Sequence, residues 1–390
     1  MIILKNAKLI TMDEKQEREF TGDVVIDGTK IVEVGRGLSR DGAEEIDLTG
    51  YTVTPGIIDA HCHIGMFEDG MGVEGDDGNE MSDPSTPEMR AIDAINPFDR
   101  CFVEAMEGGV TTCVTGPGSA NVVGGAFAAI KTHGRDVEDM LLRYPVGMKA
   151  AFGENPKRVY QSRKSIFTRM QTAAILRKTL TKAIEYEKKL KNAGDDASKL
   201  PERDLAMEAM LPVIRRELPL KIHAHRADDI LTALRIAKEF NLRITLDHCT
   251  EGYLITDLLK EGIKETGAGV IIGPLLSDRS KIELRNLTFK AAKTLYDNGI
   301  EFAMMTDHPV IPEQYLPICA GLAAREGLPE HEALRSITIN AARITGLDDR
   351  IGSIEKGKDA DIAVFNGDPL QTLTRCVMTI INGKICHNEL

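Results

Sequence analysis

Residues 53–65 read VTPGIIDAHCHIG, an apolar run that ends in two histidines two positions apart. Side chains at i and i+2 of a β-strand share one face, so His61 and His63 project together from the strand's C-terminal end, ~7 Å apart along the backbone, while Cys62 faces away. Two imidazoles at that spacing suit neighbouring ligands of one divalent ion, which needs three or more N and O donors.

The texture continues downstream. Between residues 53 and 347, short apolar runs alternate with helical stretches, the pattern of a parallel sheet with crossover helices. The strand candidates are VTPGIIDAHCH, VTTCVTG, FAAIKTH, VGMKAAF, KIHAH, RITLDHC, GVIIG and EFAMMTD, although FAAIKTH also reads as a helix start. Eight strands make a TIM-type (β/α)8 barrel, so an α/β fold with a distorted barrel over 53–347 is expected. Residues 1–52 and 348–390 differ: IILKNAKLI, DVVIDG, KIVEVG and CVMTIINGKICHN alternate apolar with polar residues between Gly-containing turns, the hairpin signature. These flanks are expected to meet in one small β-sandwich, because domain termini often lie close together.

Other chemistry-bearing residues also fall at strand ends: His223 and His225 in LKIHAH, His248 in ITLDHCT and Asp307 in FAMMTDHP. Barrel enzymes draw their reactive groups from the C-terminal ends of several strands. Lys149 ends the apolar strand VGMKAAF, where a lysine must be exposed or paired. Buried near cations, its amine would react with CO2 to give a carbamate bridging two metals, with Glu154 in GENPK as the alternative bridge. His133, His331 and His387 sit in settings that predict solvated or structural roles. The acidic, Gly- and Pro-rich stretch 64–97 directly follows the first histidine pair; it is expected to cap the site, with Glu68, Glu74 and Glu80 as contacts.

Composition narrows the function classes. The 390 residues are 42% hydrophobic and 28% charged, ordinary for a globular chain with a substantial core. Forty-eight Lys plus Arg stand against 60 Asp plus Glu, a net charge of −12, which argues against nucleic-acid binding. No stretch approaches the ~20 apolar residues of a membrane span, and the N-terminus lacks a signal-peptide pattern. Seven cysteines form no CxxC pair, so reduced, buried thiols and a cytoplasmic location are expected.

The two longest motifs, VTPGIIDAHCHIG and ITINAARITGLDDRIGSIEKGKDADIAVFNGD, resemble the entrance and exit of the amidohydrolase superfamily, whose signature is Pro-Gly-hydrophobic-Asp-x-His-x-His. HAH, LDHCTEG and TDHP are most similar to the branch holding imidazolonepropionase and metal-dependent Xaa-Pro or Xaa-Arg dipeptidases. The resemblance implies that His61, His63 and Asp307 bind one ion, and that His223 and His248 bind a second or complete a single-metal site. Lys149 matches the position carboxylated in binuclear members. Imidazolonepropionases have His-x-Glu where His223-Ala224-His225 stands; His225 is therefore assigned behind the ligands or to the substrate, with replacement of His223 as the alternative. Arg226, Arg158 or Lys157 would meet a substrate carboxylate, and Glu154 would reach the substrate if it does not bridge.

The activity implied is hydrolysis of an amide or cyclic amide by metal-activated hydroxide, with one or two divalent ions, Zn2+ by default, and Asp307 as the proton acceptor. A dipeptide, an N-acyl amino acid or an imidazolone-like ring is the expected small-molecule substrate, and a homo-oligomer the expected assembly. Two rivals remain: an amino-heterocycle deaminase, for which Asp228 and Asp229 supply no HxxE pattern, and a non-catalytic barrel serving binding or assembly.

Overall fold

The alternating N-terminal stretch folds as β1 (Ile2–Leu9), β2 (Phe20–Asp27), β3 (Lys30–Gly35) and β4 (Glu44–Asp47), followed by β5 (Thr52–Pro55). The computed structural model describes residues 1–68 and 72–390. Asp27 pairs with Lys30 across a two-residue turn, and Gly28 at φ 55° supplies the left-handed conformation such a turn requires.

Gly56 is the point where the chain leaves this sheet. A Cβ there would stand 2.0 Å from Thr111 Oγ1, so glycine alone passes. Eight strands follow: β6 (Ile57–Cys62), β7 (Val110–Thr115), β8 (Val123–Lys131), β9 (Leu141–Ala151), β10 (Leu220–Ala224), β11 (Ile244–His248), β12 (Gly269–Ile272) and β13 (Ala303–Met304). Their spatial order is their chain order, and His63 N donates to His308 O at 3.0 Å where the last segment meets the first. The result is a nearly closed, distorted TIM-type barrel.

The barrel is distorted, as expected, and the distortion lies where one strand departs from the parallel pattern with crossover helices. β8 runs antiparallel to both β7 and β9. A parallel return needs a crossover of about a dozen residues or more, whereas residues 116–122 are all that join β7 to β8, and a single four-residue helix, Val137–Met140, lies before β9. Between β9 and β10 lie the helices Arg169–Ala193 and Leu205–Ile214, the first with Leu176, Leu180 and Ala183 buried on one face.

After the barrel the chain returns as β14 (Ile362–Phe365), β15 (Cys376–Ile381) and β16 (Lys384–Asn388). β14 pairs with β5, giving the order β16-β15-β14-β5-β1-β2-β3, and β4 pairs with the start of β1. Leu4, Val24 and Ile31 from one half of this sheet and Val53, Ile362 and Ile380 from the other share one apolar core. Lys131, buried at the end of β8, contacts Asp359 at 3.3 Å and also Asp361, locking the barrel to the terminal sheet.

Candidate active site

Strand alternation places His61 and His63 on the inner face of β6, and Lys221, His223 and His225 on that of β10. Cys62 turns to the other side, where its thiol groups with Cys113 and Glu313, all buried. On β11 alternation alone would send His248 away from Asp247, which faces inward against His61 and Lys221. A left-handed φ of 76° at His248 breaks the pattern and brings its ring 4.2 Å from that of His223. Asp307 is likewise left-handed, at φ 56°. Non-glycine residues held there cost about 1–3 kcal/mol each, and such strain gathers at functional sites.

Two triads result. Ligand atoms of His61, His63 and Asp307 lie within 4.8 Å of one another, and so do those of His223, His225 and His248. The groups adjoin, since the His61 and His248 ring centroids are 5.7 Å apart. Each imidazole is anchored through Nδ1: His63 by Gly116 O (2.6 Å), His223 by Ser119 Oγ (2.9 Å), His225 by Thr250 Oγ1 (2.7 Å), His248 by Gly273 O (2.9 Å), and His61 beside Asp247 Oδ2 (2.8 Å). Such partners fix ring and tautomer so that Nε2 is the ligand atom. The connection between β7 and β8, residues 116–122, thus supplies two of these anchors, Gly116 O and Ser119 Oγ. Nε2 of His223 and of His248 are buried without a hydrogen-bond partner, which is costly unless a cation fills the gap. The donor set fits divalent ions.

The electrostatics agree. Burial, reinforced by the Lys149 charge, pushes His61 down to about 3; burial also lowers His225 to about 4 and takes His223 and His248 well below their ordinary value. These rings are neutral, the form that binds metal. Burial would raise Asp307, but His248 and His63 outweigh it and hold the carboxyl far below its usual range. Lys149 is wholly buried; burial brings its ammonium down to about 8 against the pull of Asp247 and Asp307, and its Nζ lies 3.2 Å from His61 Nε2.

Above the triads opens a cavity of about 320 Å3 that His63, His223, His225, His248 and Asp307 line together with Asn79, Asn155 and Lys281. Glu154 and Arg226 are not among its lining residues. Glu154 begins the helix Glu154–Gln161, and Arg226 is bonded to both oxygens of Asp228 at 2.9 and 3.0 Å. From the capping loop Phe67 and Asn79 reach the cavity, whereas Glu68 and Glu74 are exposed and Glu80 bonds Ser82 N. Sequence reasoning missed Lys221, Asp247, Lys281 and Glu283. Alternation from His223 would have found Lys221; nothing in the local pattern marks Glu283, brought to the histidines by the segment between β12 and β13.

An eight-stranded barrel with imidazoles and a carboxylate converging at its strand ends defines a class of barrel hydrolases. Comparison with known proteins narrows the class: the profile of the Amidohydrolase family matches residues 52–386, and the chain belongs to that family. It is therefore a hydrolase acting on carbon–nitrogen bonds, with a small-molecule substrate. The amidohydrolase tasK of Hapsidospora irregularis is 31% identical over 93% of this chain, which spans 40% of that protein's length. The imidazolonepropionase of Fusobacterium nucleatum is 26% identical over 91% of this chain and 87% of its own, in keeping with the imidazolonepropionase-like branch. An amidohydrolase from Thermotoga maritima shares the fold with a TM-score of 0.95 and 43% identity over the whole of both chains. Among the described residues, no helix is long and apolar enough to cross a membrane.

Proposed function

We propose that the chain is a binuclear metal-dependent amidohydrolase cleaving the C–N bond of a small carboxylate-bearing amide, such as an N-acyl amino acid, a dipeptide or an imidazolone-like ring. The observation that carries this reading is the pair of adjoining triads, each with its ligand atoms within 4.8 Å. His61, His63 and Asp307 hold one ion; His223, His225 and His248 hold the other. His225 thus joins the ligands, although the sequence pattern assigned it elsewhere. Bound divalent ions, Zn2+ by default, supply Lewis acidity to the carbonyl oxygen and acidify water.

The chain's own side chains do the rest. Asp307 Oδ1, 3.2 Å from His63 Nε2, takes a proton from the attacking water and returns it to the leaving nitrogen. Lys149, beside His61 at the junction of the triads, is the residue to carry a carboxyl group: its amine adds to CO2, an N–C bond forms and a proton leaves. Lys281, the one lysine or arginine lining the cavity among the described residues, meets the substrate carboxylate in place of Arg226. The net charge of −12 fits a cytoplasmic enzyme that binds no nucleic acid; a homo-oligomer is proposed on resemblance alone.

A panel of N-acyl amino acids, dipeptides and cyclic amides, assayed before and after chelator treatment, tests the reading. Hydrolysis that stops on metal removal and returns with Zn2+ supports it; hydrolysis indifferent to chelation contradicts it.

A further inference from the structure

Glu283 is 1% exposed, and the fold makes room for it. Its Oε2 accepts a hydrogen bond from Glu154 N at 2.9 Å. That approach depends on Gly153, where a Cβ would stand 2.7 Å from Oε2 and where φ is +82°. The other oxygen, Oε1, has no hydrogen-bond partner. It lies 3.9 Å from His223 Nε2 and 3.8 Å from His225 Nε2, the atoms that face the centre of the second triad. The one cation beside it among the described residues is Lys281, whose Nζ is 3.7 Å from Oε1 and bonded to Asn155 Oδ1 at 2.8 Å.

We propose that Glu283 Oε1 is the fourth ligand of the second metal position, joining His223, His225 and His248. Donors about 2.0–2.1 Å from a tetrahedral ion stand roughly 3.3 Å apart, so the carboxylate needs to close by only about 0.5 Å. A buried carboxylate oxygen without a partner, facing an equally unpartnered His223 Nε2, is stabilised by a cation between them. The charge balance supports this: three neutral imidazoles leave a divalent ion's charge intact, and Glu283 offsets half of it.

The inference rests on the metal-dependent reading, and one titration separates the two. Stripped full-length protein is titrated with Zn2+ against a chromophoric chelator, for the wild type, Glu283→Gln and Glu283→Asp. Two bound ions are expected in the wild type, with Glu283→Gln weakening one Kd by at least the roughly tenfold lost when a partner around a metal ligand is removed, and leaving the other unchanged. Glu283→Asp, which keeps the carboxylate, should lose less, and it serves as the test if the glutamine variant does not fold. Two ions with both Kd values unchanged in the variants would overturn the role of Glu283 while leaving the enzyme reading intact. A wild-type chain that binds no Zn2+ would overturn both.

Discussion

Asp59 Oδ2 accepts hydrogen bonds from Thr306 N at 2.8 Å and Thr306 Oγ1 at 2.7 Å, so the strand that carries His61 and His63 is tied directly to the residue before Asp307. Its other oxygen accepts from His61 N at 2.9 Å. The first triad therefore depends on a residue that touches neither metal nor substrate. Asp59→Ala should remove all three bonds and leave their buried donors unmatched, a loss on the order of 3 kcal/mol or more. Chemical denaturation would read the loss, and a fall in kcat at temperatures where the variant remains folded would show the misplacement of Asp307.

Four of the buried histidines predict acid lability of the metal-free protein. His61, His223, His225 and His248 all have folded-state values below 6.5, near 3 and 4 for His61 and His225. Between those values and 6.5 the unfolded chain binds more protons, so stability rises with pH and falls as pH drops through that window. Asp59, raised by burial to about 6, and Glu313, raised well above its usual range, act in the opposite sense, but four groups outnumber two. The melting temperature of stripped protein should fall between pH 7 and pH 5; a rise would contradict the neutral-histidine picture.

Lys131 joins the barrel to the terminal sheet through Asp359 and Asp361, at 2% exposure. Lys131→Met leaves Asp361 without this cation, although Asp359 keeps Lys30 at 2.7 Å and Arg350 at 2.7 Å. Breaking a buried pair on one side costs about 3–5 kcal/mol, and the lower end is expected here. Denaturation midpoints should shift while kcat of the folded variant does not.

Asp307→Asn keeps a side chain of the same shape but loses the proton acceptor. Because Asp307 is also a ligand, the first ion should bind more weakly; with Zn2+ resupplied to two ions per chain, turnover should still be lower by roughly 10²–10⁴, the usual worth of general acid–base catalysis. Retained turnover would remove Asp307 from that role.

Much of this site was legible in the sequence because strand periodicity is simple. His61 and His63, then His223 and His225, share faces by alternation, and strand ends at 149, 248 and 307 pointed to the same mouth. Three features were not legible. The apolar run of β8 carries no information about direction, so its reversal depended on the short connections around it. The inward turn of His248 comes from its positive φ, a backbone choice that no residue type announces at that position. Arg226 and Lys281 are equally cationic on paper; the pairing of Arg226 with Asp228 and the place of Lys281 in the cavity wall exist only in three dimensions.

The most direct test of the account is metal content per chain in gently purified protein, measured by plasma mass spectrometry on the wild type and on Lys149→Ala. The account predicts about two divalent ions, falling to about one or fewer when the lysine is removed. A wild-type chain that is active with no bound metal, or two ions unchanged in Lys149→Ala, would contradict it.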